Sequence, residues 1–455
     1  MKFYDRDEEL KVLEKAYLTA GKGGTMVVIN GRRRVGKSRL MDEFLKGKKA
    51  ISIQLVPKEE KQLVTDIVNE IKTKYGYAPP LNTFKEVFEY IFQSKDITLV
   101  SMDEFPAVLT INKAIPYELQ VLWDKYRESK DIVLLISGSY VGMMNKIFTA
   151  QKAPLFNRAF FTIRLQQLPF RVVTKILSDL GIKDSSKQLS YYCVFGGVPY
   201  YYVLLERSDN KVFEQAITNL FFEQAAQLRE EGQDILRQEF GNAYPKYYAI
   251  LEAIHAGFVS MSEISNRLGV RSNTLTKYID SLQKDFRLIE RTVPFDQNPY
   301  RSKKGLYLIR DNTIAFWFRH AYGKRVPPAK EELNAFLGRR FELLCSEFLV
   351  AWLEKKGERV TKSGRWWGNV EVEKGKFEQR EIDLIIATDK ALYICECKWS
   401  DNKIGEKELE HLKVSAKALK TKKPIKWVLF NKKGFTIKES KDVLLFDAGR
   451  IVRGD

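Results

Sequence analysis

The sequence predicts an α/β protein of several domains, with a parallel sheet in its first third and a second α/β region at its end. Three observations predict it. Residues 1 to about 168 alternate short apolar runs with segments of helical periodicity, the pattern of strands buried on both faces beneath crossover helices. One strand-to-helix junction carries Gly31-Arg32-Arg33-Arg34-Val35-Gly36-Lys37-Ser38. The chain has 455 residues, which at ~100–200 residues per domain leaves room for three or four domains.

Taken in order, the β-branched runs Thr25 to Asn30, Ala50 to Leu55, Ile97 to Met102 and Ile132 to Ser137 read as strands. Arg39 to Leu45 and Phe84 to Phe92 have helical spacing. Asp184, Ser185 and Ser186 offer a helix cap. Residues 169–240 read as mostly helical, interrupted by Gly196-Gly197-Val198-Pro199, and Pro327-Pro328 reads as a linker.

Composition bounds the function. Lys and Arg number 76 and Asp and Glu 58, a net charge of +18, while 44% of residues are hydrophobic and 29% charged. That balance excludes global disorder. No run approaches the ~18–20 apolar residues of a membrane span. The first residues lack the apolar middle of a secretory signal, and four cysteines make no disulfide framework. The expectation is a cytoplasmic protein with no membrane partner. The excess charge points to a polyanion, nucleic acid first. The segment 324–455 carries +8 of it.

The glycine-rich segment fits G-x-x-x-x-G-K-[ST] in the required strand–loop–helix context. Its glycines let backbone N–H groups from Gly31 through Gly36 converge on phosphates, and the helix N-terminus that begins near Lys37, Ser38 and Arg39 adds positive dipole. Lys37 is expected on the β- and γ-phosphates of ATP and the Ser38 hydroxyl on Mg²⁺. The strand Ile97 to Met102 runs into Asp103-Glu104, a Walker B arrangement. Asp103 is expected to hold Mg²⁺ and Glu104 to orient or deprotonate the attacking water. Ser137-Gly138-Ser139 ends the next strand where a γ-phosphate sensor belongs, so Ser137 or Ser139 is a candidate, as is a simple turn. Arg158 is either an arginine trigger or a surface residue.

These motifs, with the GGVPYY segment and Gly305-Leu306-Tyr307, Asp311 and Phe316-Trp317-Phe318 after them, resemble in their order the archaeal-type ATPases, AAA+/STAND-like P-loop proteins. The resemblance implies an ATPase core over 1–168, a helical lid over 169–240, a winged helix over 241–325 and a C-terminal nuclease-like domain over 326–455.

The residues themselves carry the last two regions as well. Ser260 caps a helix containing Ile264 and Leu268, Gly269-Val270 turns the chain, and Ser272 to Leu282 forms a further helix, a helix-turn-helix with serine and threonine before the second and third helices and a glycine turn between them. Leu288 to Thr292 and Leu306 to Ile309 are the wing strands. The third helix either enters a DNA groove, with Arg271, Asn273, Thr276 and Lys277 as its contacts, or serves as an interdomain arm. Further on, Glu342 sits beside a helical stripe of Leu337, Phe341, Leu344, Phe348 and Trp352. Glu381 and Asp383 share one face of a strand, and Glu396 and Lys398 share one face of the next. Helix Glu, strand Asp and strand Glu-x-Lys resembles the PD-(D/E)xK nuclease core, without its proline. Asp383 and Glu396 are expected to bind Mg²⁺, Glu342 to complete the site, and Lys398 to activate water or stabilise charge on the phosphate. Lys407, Glu408 and His411 on the next helix are the candidates to assist, with no choice among them from sequence. Cys395 and Cys397 read as core thiols, and Trp366-Trp367 either stack on bases or pack.

The functional expectation is an ATPase that couples nucleotide state to DNA binding or cleavage, as a monomer or a homo-oligomer. The alternatives are a nucleotide-controlled signalling or defence switch, and a DNA-binding regulator that uses ATP only as a ligand with an inactive nuclease fold.

Overall fold

The computed structural model describes residues 1–208 and 211–455. By their internal packing these form two units, Met1–Gln167 with Arg237–Asn242, and Leu168–Leu236 with Ala243–Asp455.

The first unit is built on five parallel strands, β1 (Thr25–Asn30), β2 (Ile51–Gln54), β3 (Leu99–Asp103), β4 (Val133–Gly138) and β5 (Phe161–Arg164), in the spatial order β2-β3-β4-β1-β5. Alternate side chains of a strand point to opposite faces. Met26, Val28, Val100, Met102, Leu134 and Ile136 accordingly join one core, under the helices Glu60–Tyr75, Phe84–Gln93 and Ile115–Tyr126. Val27, Ile29, Leu99, Val133 and Leu135 join another, beneath Asp7–Thr19 and Lys37–Leu45. Burial on both faces explains the near-continuous apolar runs. Phe84–Gln93 starts at a capping box in which Thr83 and Glu86 satisfy each other's backbone N–H groups.

The order places the ends of β1, β4 and β3 side by side. Asn30 is level with Gly138, and Met102 with Ile136. The phosphate-loop residues after β1, the serines ending β4 and the acids ending β3 therefore meet at the carboxyl edge, where parallel sheets bind ligands.

The second unit begins with helices Phe170–Asp179, Ser185–Phe195, Pro199–Glu206 and Phe213–Phe221. Asp184 caps the second of them by accepting from the Lys187 N–H. Helices Tyr244–His255, Met261–Leu268 and Ser272–Lys284 follow, then the antiparallel pair β6 (Ile289–Thr292) and β7 (Leu306–Ile309). Ser260 and Glu263 form a capping box, and Gly269 ends that helix in the left-handed region at φ +63°. The third of these helices starts at Ser272, as expected. Arg271 is the cap residue and Ser272 the first helical one, its hydroxyl donating to Ser265 Oγ.

The chain ends in a 26-residue helix, Lys330–Lys355, and a mixed sheet of β8 (Val360–Glu373), β9 (Lys376–Thr388), β10 (Leu392–Lys398), β11 (Ile425–Asn431) and β12 (Val443–Asp447), ordered β12-β11-β10-β9-β8. β8, β9 and β10 pair antiparallel, and β10, β11 and β12 parallel. Helix Glu406–Ala416 makes the β10-to-β11 crossover and covers a core of Ile382, Ile385, Ile394 and Leu429. On the long helix, Phe348 packs on Phe430 and Phe446. Among the described residues no helix is long and apolar enough to cross a membrane.

One buried residue has no polar compensation. His320 is 1% exposed between the rings of Phe316 and Phe336, and neither ring nitrogen has a hydrogen-bond partner among the described residues. Burial, helped by Lys324 and Arg319, pushes it down to about 4. The unfolded chain protonates this imidazole near pH 6.5, so the native state gives up stability as pH falls from 6.5 towards 4. We expect His320→Leu to reduce the loss of Tm between pH 7 and pH 5 in calorimetry; an unchanged loss would show that other groups set the slope.

Candidate functional site

At the end of β1 the chain enters the phosphate loop. A Cβ on Gly31 would lie 2.6 Å from the Leu165 carbonyl oxygen, so only glycine fits. Gly36 takes φ +97° and caps the helix Lys37–Leu45, while Arg34 holds a left-handed φ of 69° without being glycine. Val35 is buried in the adjoining core, whereas Ser38 and Arg39 are exposed.

Lys37 is 5% exposed, and its Nζ donates to the carbonyl oxygens of Gly31 at 3.0 Å and Arg32 at 3.2 Å. Burial lowers its pKa, against the attraction of Glu104, Glu239 and Asp103. The Ser38 hydroxyl donates to Asp103 Oδ2 at 2.5 Å, and Ser137 Oγ donates to Asp103 Oδ1. Glu104 has a left-handed φ of 54°. Its carboxylate accepts from the Ser139 N–H at 3.1 Å and from Ser139 Oγ at 2.7 Å. The structure thus brings Gly31, Gly36, Lys37, Ser38, Asp103, Glu104, Ser137 and Ser139 together. Arg158 is held differently, in a two-pronged pair with Asp124 at 2.9 and 2.7 Å.

One residue of this site is absent from the sequence reading. Glu239, near the end of helix Glu231–Phe240, accepts from the backbone N–H of Arg33 and lies within the fields of Lys37 and Arg32. Its position some 200 residues away on an ordinary amphipathic helix left no local signal. Glycines, a Ser–Asp pair and a buried ammonium make a donor set that fits a nucleotide triphosphate with Mg²⁺, whose preferred ligands are hydroxyl, carboxylate, water and phosphate oxygens.

A second acidic site lies in the other unit. Glu342 and Glu381 both face Arg365, at 3.3 and 3.7 Å. Asp383 Oδ2 accepts from the Cys397 N–H at 2.9 Å, and Lys398 Nζ lies 2.5 Å from Glu396 Oε1. Burial pushes Glu342 and Glu396 up to about 7 and raises Asp383, with neighbouring carboxylates adding to it and Arg365 or Lys398 opposing. Burial also works against charge on Lys398, but Glu396 and Asp383 outweigh it and hold the ammonium above its ordinary value. A cavity of about 750 Å³ opens here, lined by Glu342, Asp383 and Arg365 and by Arg310, Arg319 and Arg339.

Arg365 was not singled out as a site residue because β8 is largely polar and lacked a strand signature. Glu408 is spent on capping its own helix through the Gly405 N–H. Cys395 and Cys397 are core thiols, the latter against Cys345, and Trp366 packs in the sheet core. Among the described residues no three His, Cys, Asp or Glu side chains stand arranged to hold a metal ion; the donors near Asp383 and Glu396 are hard oxygens of the type that Mg²⁺ takes. Arg271, Asn273, Thr276 and Lys277 are all exposed, opposite the buried Leu275, Ile279 and Leu282.

Removing Arg365 leaves Glu342 buried with its nearest cation gone. Ionisation of Glu342 then costs more, so Arg365→Ala is expected to destabilise the fold by on the order of 1–2 kcal/mol, more at pH 8 than at pH 5. Denaturant unfolding at both pH values measures this; an equal loss at both would mean that Arg365 does not compensate the acid.

Two family models match parts of this chain. The family model described as "ATPase domain predominantly from Archaea" matches residues 3–205, and one described as "Archaea bacterial proteins of unknown function" matches residues 319–412. An uncharacterized protein of Methanocaldococcus jannaschii is 29% identical over 98% of this chain and 99% of its own length. Among solved structures, a Walker-type ATPase of Pyrococcus abyssi is 19% identical over 70% of this chain and 96% of its own, with a TM-score of 0.52, a likeness of fold. Cdc6p of Pyrobaculum aerophilum aligns at 13% identity over 73% of this chain and 93% of its own, with a TM-score of 0.34. Residues 3–205 are thus similar to an archaeal ATPase domain, and residues 319–412 of the same chain to a family of unknown function.

Proposed function

We propose that the chain hydrolyses ATP with Mg²⁺ and couples nucleotide state to the binding or cleavage of DNA. The observation that carries the ATPase reading is the hydrogen-bonded series Ser38–Asp103–Ser137 beside Lys37 and Glu104. In this reading the N–H groups of Arg32, Arg33, Arg34, Val35 and Gly36, with Lys37, bind the phosphates. Ser38 and Asp103 hold Mg²⁺, which when bound neutralises phosphate charge. Glu104 takes the proton of the attacking water, and Ser139 fixes its carboxylate in place. Arg158 acts only if its pair with Asp124 opens.

The division into an ATPase core (1–168), helical lid (169–240), winged helix (241–325) and nuclease-like region (326–455) belongs to the same proposal. The three helices before β6 and β7, with Arg271, Asn273, Thr276 and Lys277 exposed on the third, support DNA contact. Glu342 and Asp383 on an arginine-lined cavity, with the Glu396–Lys398 pair on the strand beside Asp383, support a phosphodiesterase site. A second reading, a nucleotide-controlled switch or regulator with a silent nuclease fold, is favoured by the engagement of Glu342 with Arg365 and of Glu396 with Lys398.

Lys37→Ala is expected to lose MgATP binding. Glu104→Gln is expected to bind it normally while hydrolysis falls by about 100-fold or more; undiminished turnover in Glu104→Gln would overturn the mechanism. Labelled single-stranded, duplex and branched DNA, incubated with Mg²⁺ with and without ATP, tests the second site. The wild type is expected to cut and Asp383→Ala to bind without cutting. Binding without cleavage by the wild type would favour the regulator, and no binding at low salt would remove DNA as the partner.

A further inference from the structure

The N–H groups of a phosphate loop form a concave anion site. In this chain one of them already has an anion. The Arg33 N–H donates to the Glu239 carboxylate, and the charges of Lys37 and Arg32 attract it. The other carboxylate oxygen, Oε2, is buried and has no hydrogen-bond partner among the described residues. Residues Arg237–Asn242 pack with the first unit, although the residues on both sides of them belong to the second. Glu104 lies close enough to repel Glu239, and burial pushes Glu239 up to about 7 despite the cations. A carboxylate sealed from water and half-satisfied is a costly way to pack a helix end. It is an economical way to fill a cradle meant for something else.

We propose that Glu239 is an internal stand-in for nucleotide phosphate, occupying the phosphate loop until ATP or ADP displaces it. The inference rests on the nucleotide reading of this loop. A phosphate chain brings more charge than a carboxylate and needs the same Arg33 N–H and the same Lys37 ammonium, so both anions cannot be held at once. Nucleotide entry then expels Glu239, and segment 237–242 reports the occupancy of the site. Glu239 is a positioning residue and takes no part in bond breaking.

The test is calorimetric titration of ATP, ADP, pyrophosphate and adenosine, with Mg²⁺, into wild type, Glu239→Gln, Glu239→Asp and Lys37→Ala. Asp draws the carboxylate back by one methylene, and Gln removes its charge while keeping an acceptor, so failure of either variant to fold leaves the other. The expected result is that ATP, ADP and pyrophosphate bind both Glu239 variants at least about 10-fold more tightly than wild type, with adenosine unchanged. Equal or weaker phosphate binding in both variants, with wild type binding normally, overturns the inference and spares the nucleotide reading. An equal gain for adenosine also overturns it, since the carboxylate would then be shaping the pocket rather than competing with phosphate. If wild type and both Glu239 variants bind no more than Lys37→Ala does, the nucleotide reading itself fails and takes the inference with it.

Discussion

A buried ammonium must be balanced, and Lys37 is the group around which the first unit settles its charges. The lysine lies almost wholly out of water, between two loop carbonyls and within the fields of three carboxylates. Burial lowers its pKa and the carboxylates oppose that. Asp103 and Glu104 reach it because β3 lies one strand away from β1, with β4 between them. Glu239 comes from a distant part of the sequence. Each of these acids is restrained in turn: Asp103 by Ser38 and Ser137, Glu104 by Ser139, and Glu239 by the Arg33 amide. The site is thus a closed set of charges that a polyphosphate must enter by exchange.

The second unit solves the opposite problem. There the buried groups are carboxylates, and Arg365 and Lys398 supply the balance. Asp383 is further fixed by a backbone N–H on the neighbouring strand. Both sites sit where strand ends or strand faces hold acids close to cations, yet one surrounds a buried lysine with acids and the other places two bases among acids.

Much of this was legible in the sequence, for physical reasons that differ by element. The phosphate loop was readable because close approach at Gly31 and the left-handed turn at Gly36 demand residues that nothing else replaces. The core strands β1, β3 and β4 were readable because both of their faces are buried, although β3 begins at Leu99 and not Ile97, where the run is apolar but not yet paired. β8 was not readable. It is an edge strand with few core residues beyond Trp366 and Val370, so it shows no apolar alternation, and Arg365 went unnoticed with it. The helix expected from Ser272 does begin there, with Arg271 as its cap residue and the Ser272 hydroxyl bonded to Ser265. Glu239 was invisible because its role depends on tertiary folding and on no local pattern.

The exclusion between carboxylate and phosphate can be followed without altering the protein. Hydrogen exchange at residues 237–242, measured with and without a non-hydrolysable ATP analogue and Mg²⁺, reads it directly. Faster exchange in that segment together with slower exchange in residues 31–38 is the predicted result. Slower or unchanged exchange in 237–242 at saturating analogue would contradict the account, since Glu239 would then have kept its place beside an occupied phosphate loop.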